Sequence, residues 1–203
     1  MKIKNKIISL FASTAIISCA AATNVLAQTK NFAGPSLGVS YSSIAASVDV
    51  GVSGVSIVSP GNNDDVFSID FSYAAPIDNK FLLAFGATYD LNDQKVGNFL
   101  GANFKYKDHY SIYIAPTYAL TENSALFLKV GYHDIKGAAS DGDVSLSKNF
   151  SGWGYGAGIK VMLDKNLYAQ AELQRVEYGS ETQDGISFEP TTSAGIISIG
   201  YKF

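Results

Sequence analysis

Six stretches of this chain place apolar side chains at every second position, and that period of two constrains the fold more than any other feature. Between Val66 and Ala75, Phe67, Ile69, Phe71 and Tyr73 share one parity, while Ser68, Asp70 and Ser72 share the other. The same alternation runs through Phe81–Leu91, His109–Leu120, residues 126–132 and 167–174, and the C-terminal set Ile197, Ile199, Tyr201 and Phe203. Successive side chains of a strand point to opposite faces, so each apolar set lies on one side of a sheet. Leu37, Val39 and Tyr41 add a seventh strand. An eighth, FSGWGYGAGIKVML at 150–163, alternates Gly152, Gly154, Gly156 and Gly158 with Trp153, Tyr155, Ala157 and Ile159. It reads as a strand with one crowded face. The glycine fingerprint of dinucleotide-binding loops needs two residues before its last glycine, a spacing this segment lacks.

The connections alternate in length. Residues 76–79, 121–124 and 164–166 are tight turns, whereas 49–64, 92–103, 136–148 and 179–191 read as longer polar loops. The fold class is therefore all-β: an eight-stranded antiparallel up-and-down barrel, with short turns on one rim and long loops on the other, as in transmembrane barrels. A soluble barrel would turn its apolar parity inward. The aromatics argue for the opposite. Tyr73, Phe81, Tyr118, Tyr201 and Phe203 gather near the short-turn rim, and Tyr89, Tyr110, Tyr132, Trp153 and Tyr155 near the long-loop rim, all on the apolar parity. Two aromatic belts with aliphatic residues between them are what two membrane interfaces select. The greasy parity is expected to face lipid, with the glycines of 152–158 facing inward to leave room for neighbouring strands.

The other parity then lines the lumen and carries Asp70, Lys80, Asp90, Lys129, Lys160 and Glu172. Eight strands enclose an interior just wide enough for side chains, and unpaired charge there is costly. These groups are expected to pair into a plug rather than line a pore, with Lys129, Lys160 and Glu172 meeting across consecutive strands.

The N-terminus reads as a separate element. Lys2, Lys4 and Lys6 precede an apolar run from Ile7 to Ile17, and Val25-Leu26-Ala27 fits a signal-peptidase site. Residues 1–27 are expected to be a cleaved export signal and 28–203 the barrel domain. Ile16-Ile17-Ser18-Cys19 also resembles a lipobox, which leaves lipoprotein processing at Cys19 as an alternative. Cleavage at Ala27 leaves 176 residues with 12 basic and 18 acidic side chains, a net charge of −6 and no cysteine. That balance argues against nucleic acid as a partner, and the absence of cysteine excludes a disulfide framework.

Phe85-Gly86-Ala87-Thr88-Tyr89-Asp90-Leu91, His109-Tyr110-Ser111-Ile112-Tyr113-Ile114-Ala115-Pro116, Lys129-Val130-Gly131-Tyr132-His133, Gly154-Tyr155-Gly156-Ala157-Gly158 and Gly200-Tyr201-Lys202-Phe203 carry a family likeness. They resemble small proteobacterial outer-membrane barrels, described as porin-family, opacity-like or OmpA-like β-barrel domain proteins. The resemblance implies an integral outer-membrane location, contact with membrane lipid and lipopolysaccharide, and a monomer. It also implies that Tyr201 and Phe203, in the terminal strand, form the signal read by the barrel-assembly machinery.

Candidate chemistry is sparse. His109-Tyr110-Ser111 resembles the His-x-Ser of outer-membrane lipid A deacylases, which carry Asn where this chain has Ile112. The next acid, Glu122, lies about 40 Å of extended strand away, leaving Asp90 as the possible partner. Asp141-Gly142-Asp143 lacks the rest of a calcium loop, and His133 stands alone as an interior residue. No cofactor or metal is expected, and no enzymatic activity. The leading reading is a structural and surface-interaction protein with a plugged lumen and exposed loops. A narrow conduit for small solutes is the alternative, and a lipid hydrolase the third.

Overall fold

The computed structural model describes residues 29–52, 55–99, 102–141, 144–183 and 186–203. The export signal, the Ala27 cleavage site and Cys19 lie outside the described residues, as do Gly142 and Asp143 of the acidic triplet. The strands are β1 (Gly34–Val52), β2 (Val55–Pro76), β3 (Phe81–Asp90), β4 (Gln94–Phe99), β5 (Ala102–Ala119), β6 (Ser124–Asp141), β7 (Val144–Met162), β8 (Leu167–Tyr178), β9 (Glu181–Gln183) and β10 (Ile186–Lys202). They form one antiparallel sheet in which each main strand pairs with the next, and β1 pairs with β10 from Ser36↔Lys202 to Val52↔Ile186. That ladder closes the cylinder. β4 continues the line of β3 along β5, and β9 lies along β10 beyond β8, so ten strands make eight staves.

The short turns fall where the turn residues put them. Ile77 N–H donates to Phe81 O at 2.8 Å, Leu120 N–H to Ser124 O at 2.8 Å, and Leu163 N–H to Leu167 O at 2.8 Å. Asp78 Oδ1 accepts from the Lys80 and Phe81 amides at 2.8 and 2.9 Å, the local capping that makes Asp a turn former.

At the other rim the sequence expectation is corrected. The stretches 49–64, 92–103, 136–148 and 179–191 are largely strand, because β1, β2, β5, β6, β7 and β10 each run 17 to 22 residues. About 9 to 11 residues suffice to cross a membrane. The staves continue past the belt, where neither face meets lipid. Alternation there is short and broken by Gly, Ser, Asn and Asp while the backbone ladder continues, which is why a reading based on alternation ends these strands early.

The partition of faces is clear. Ile112, Leu128 and Ile199 are 41%, 60% and 49% exposed on the outside of the cylinder, together with the other large apolar residues of their parity. In lipid, an apolar exterior is the stable choice, and a closed barrel leaves no unpaired backbone in the hydrocarbon. The inward glycines answer a spatial demand. A Cβ on Gly158 would press on the Ala171 carbonyl oxygen and the Phe127 ring, and one on Gly154 would press on the His133 imidazole. Overpacking of this kind costs roughly 1–3 kcal/mol. Gly158→Ala should therefore lower the urea midpoint of the folded band on unheated gels, while Ala157→Val, on the lipid side of the same strand, should leave it nearly unchanged.

Candidate functional site

The lumen is stacked in layers. At the short-turn end Phe32, Leu82, Ala119, Ala125, Met162 and Tyr168 form a buried apolar cluster, with Ala33 and Ala74 packed against it. Phe32 comes from the segment before β1, which is tied across the base: Asn31 Nδ2 donates to Glu122 O at 2.9 Å and Thr29 Oγ1 to Asp78 O at 3.3 Å. The N-terminal segment thus stoppers that end.

Above it lies a polar layer. Asp70 accepts from the Tyr113 hydroxyl, at 3.0 and 2.8 Å to its two oxygens, and from Thr88 Oγ1 at 3.0 Å. Lys129 Nζ lies 3.1 Å from Glu172 Oε2 and 4.2 Å from the centre of the Tyr113 ring. Lys160 Nζ lies over the Tyr168 ring, 4.2 Å from its centre, rather than on Glu172. The carboxylate takes Lys129 and, at 3.4 Å, Gln170 Nε2. Tyr113 and Tyr168 have the space they occupy because they lie against Gly86 and Gly200, where a side chain would overlap them. Lys80 does not belong to this group. It is exposed in the turn before β3, because the strand begins at Phe81 and the turn geometry carries Lys80 outside the cylinder.

The next layer is a hydrogen-bonded chain. Ser68 Oγ donates to Asp90 Oδ1 at 2.8 Å, and Asp90 Oδ2 lies 2.8 Å from His109 Nδ1. His109 Nε2 lies 3.0 Å from His133 Nδ1, and His133 Nε2 3.1 Å from Gln174 Nε2. Over it sits a second apolar cluster, Ala46, Tyr106, Ile135, Val176 and Tyr178, with Phe150 against it. Between the two apolar layers the cavity has a volume of about 60 Å³, bordered by Asp70, Asp90, His109, Lys129, His133 and Glu172 among others. At 10–15 Å³ per water position that is room for a few waters.

The upper cluster was illegible in part because of a bulge. Counted back from Tyr110, Tyr106 falls on the lipid parity. Asp108, at φ 51°, inserts an extra residue where the β5–β6 register shifts between Lys107 and Tyr110, and Tyr106 turns inward. A motif reading joins His109 to Ser111 and leaves His133 solitary, yet both histidines lie on the inward parity of adjacent strands, which brings them together. Asp90 does reach His109, but Ser111 is buried beside the lumen cavity and the second nitrogen of His109 is occupied by His133, so no hydroxyl here faces a lipid ester.

On the outside the long-loop belt is built of cross-strand neighbours. Tyr89 stands opposite Tyr110, and Tyr132 opposite Trp153 with ring centres 5.7 Å apart. Tyr155 donates to Glu177 at 2.9 Å, and Arg175 reaches the same oxygen at 3.1 Å. The other rim pairs Phe81 with Tyr118 at 4.8 Å, Tyr201 with Phe203 at 5.2 Å, and Tyr73 opposite Phe85. Phe203 N–H closes the seam on Pro35 O at 2.9 Å.

Past the long-loop belt the wall divides. Between β2 and β4 side chains stitch it: Phe67 N–H donates to Asn92 Oδ1 at 2.8 Å, Asn92 Nδ2 to Asp65 O at 3.0 Å, and Lys95 N–H to Asp64 Oδ2 at 2.5 Å. Between β7 and β8 the ladder ends at Gly152↔Tyr178, with a last bond from Gly179 N–H to Ser151 O at 2.9 Å. β7 goes on to Val144 paired with β6. Among the described residues no strand pairs with its other edge there. Backbone groups alternate sides along a strand, so Ser151 fixes the sense: Asn149 and Ser147 also point N–H and C=O toward the open side.

The buried ion pair yields a test. Removing one partner of such a pair strands the other charge and costs about 3–5 kcal/mol, whereas replacing both with apolar residues is far milder. Lys129→Met and Glu172→Leu should each lower the unfolding midpoint strongly, and the double variant should recover most of the loss.

The family model for the outer membrane protein beta-barrel domain matches residues 9–203. A search of curated protein sequences gives no match. Among solved structures, Ail, the attachment invasion locus protein of Yersinia pestis, is similar over 84% of this chain and 99% of its own, at 16% identity and a TM-score of 0.54. Ail in complex with the heparin analogue sucrose octasulfate aligns over the same shares at 17% identity and 0.52. Neisserial surface protein A is similar over 82% of this chain and 97% of its own, at 17% identity and 0.49. At these identities the likeness is one of fold.

Proposed function

The chain belongs to the outer membrane protein beta-barrel domain family and is an integral protein of the bacterial outer membrane, and from that premise we propose that it serves as a surface-interaction protein rather than a conduit. One observation carries the reading. The lumen is closed by apolar layers at both ends of a cavity of about 60 Å³, while the staves run on well past the outer belt. From Trp153 to Val144, β7 alone extends about 30 Å along the strand. Material is invested in a rigid wall outside the membrane, not in a passage through it.

The wall offers a defined mode of contact. The open edge of β7 between Val144 and Ser151 carries backbone donors and acceptors in the spacing that an extended polypeptide matches by adding a strand. Ail has been seen with a sulfated heparin analogue. Here the mature net charge of −6, and the interleaving of Lys95, Lys105, Lys107 and Lys136 with Asp93, Asp108 and Asp134 near the wall, favour a polypeptide over a polyanion. In this reading the protein acts as a monomer. The lipid face meets lipopolysaccharide in the outer leaflet, and Tyr201 and Phe203 present the C-terminal strand to the barrel-assembly machinery.

Two measurements bear on this. In planar bilayers the purified protein should show no large, stable conductance, and such a conductance would favour the conduit. Ser147→Pro with Asn149→Pro removes only donors that face the open edge, so insertion and heat-modifiable gel mobility should persist. Polypeptides cross-linked to the wild-type protein on intact cells should be lost from the double variant. Undiminished cross-linking would remove the β7 edge from the account.

A further inference from the structure

We propose that the buried chain from Ser68 through Asp90, His109 and His133 to Gln174 is an acid-operated latch that keeps the surface half of the barrel closed. The chain crosses the lumen and ties together β2, β3, β5, β6 and β8. It passes β7 without a contact of its own because Gly154 leaves the space in which His133 lies. His109 lies on the inward parity of β5, set by the regular register from Tyr110 onward, and meets His133 from the neighbouring strand.

The proton arrangement follows from the partners. Asp90 is a carboxylate that accepts from Ser68, so it also accepts from His109 Nδ1–H. That leaves His109 Nε2 as an acceptor, filled by His133 Nδ1–H, and His133 Nε2 as an acceptor, filled by the Gln174 amide. With both imidazoles neutral, every ring nitrogen is used once. One added proton can be carried on His133 Nε2 if the Gln174 amide rotates to offer its oxygen. A second proton cannot be placed. It would put N–H groups on both facing nitrogens, 3.0 Å apart, with no acceptor between them, on rings that are stacked with centres 5.2 Å apart.

The surroundings do not supply a second acceptor. Asp90 on β3 is already committed to His109. Asp70 on β2 is held by Tyr113 and Thr88, Glu172 on β8 by Lys129 of β6, and Lys160 of β7 lies over Tyr168. Lys129 adds positive charge on the same face as His133. Tyr106 and Tyr178 are phenols in the apolar cap, and Asp134 on β6, close enough to His109 to interact with it electrostatically, hydrogen-bonds neither ring. β1 and β10 contribute hydroxyls, Ser40, Ser42, Thr192 and Ser198, to the cavity wall.

Breaking the His109–His133 contact has a directed effect. The apolar cap rests on the same strands a few residues beyond: Tyr106 on β5, Ile135 on β6, Val176 on β8. Doubly protonated, the two rings repel each other beneath the cap, driving His109 of β5 from His133 of β6, which loosens the cap and opens the cavity toward the cell exterior. The base, held by Phe32 and Leu82, stays shut.

Amide hydrogen exchange on the full mature chain in uncharged-lipid nanodiscs tests this, with protection corrected for the intrinsic pH dependence of exchange. Between about pH 7.5 and about pH 4.5, the wild-type protein should lose about tenfold or more of its protection in the surface halves of β5, β6 and β8, with β3 and the C-terminal half of β10 unchanged. His133→Gln keeps a polar side chain that cannot charge, and should remove the pH response. Gln174→Leu removes the oxygen that accommodates the first proton, and should move the opening to higher pH. Protection lost equally at both ends of the wild-type barrel, or unchanged on acidification, would overturn the latch, as would a His133→Gln variant that opens in parallel with wild type. The contrast between the two halves of the wild-type barrel decides the matter even where a variant does not fold.

Discussion

Backbone hydrogen bonding in a medium without water governs this molecule. A strand in hydrocarbon has no solvent to satisfy its amides, so every stave must be paired on both sides, and the first must meet the last. The β1–β10 ladder, continuous from Ser36↔Lys202 to Val52↔Ile186, meets that demand. Once the cylinder is closed, the pleat forces alternate side chains to opposite solvents. Leu128 and Lys129 go to opposite faces because they are neighbours on a strand, and the apolar character of Leu128's parity decides which face meets lipid.

The interior follows from the small circumference. An eight-stave barrel cannot hold a large side chain at every inward position, so bulky groups sit opposite glycines: Tyr113 against Gly86, Tyr168 against Gly200, His133 against Gly154, Phe127 against Gly158. The inserted groups then determine what the lumen is. Two apolar layers bracket a polar one, and charge in the middle is held by ion pairing and by aromatic faces. A lumen filled in this way packs the barrel from within, and the same ladders continue outward past the belt. Binding functions suit such a scaffold, since its backbone geometry is fixed before a partner arrives.

What could be read from the chain tracks where lipid imposes a pattern. Between the belts, the alternation that places Phe71, Ile112 or Ile199 outside is written in every strand, and the short turns carry their own chemistry in Asp78, Thr121 and Asp164. Beyond the outer belt no lipid imposes a pattern, the alternation is short and broken, and strands such as the outer part of β6 read as loops. A single bulge is equally opaque: nothing in Lys107-Asp108-His109 announces the positive φ that turns Tyr106 into the lumen. Lys80 fails for a third reason, because parity says nothing about where a strand begins. The histidine chain needed two strands read together, with the glycine of a third recognised as space.

Site-directed spin labelling along β6 tests the inside–outside partition most directly. With Cys19 replaced, single cysteines from Leu126 to His133 would be labelled in lipid bilayers and their accessibility to dissolved oxygen compared with that to a polar nickel complex. The account predicts strict alternation, with oxygen favoured at Leu126, Leu128, Val130 and Tyr132 and both reagents excluded at the positions between. Uniform exposure to the nickel complex, or an alternation of the opposite phase, would contradict it.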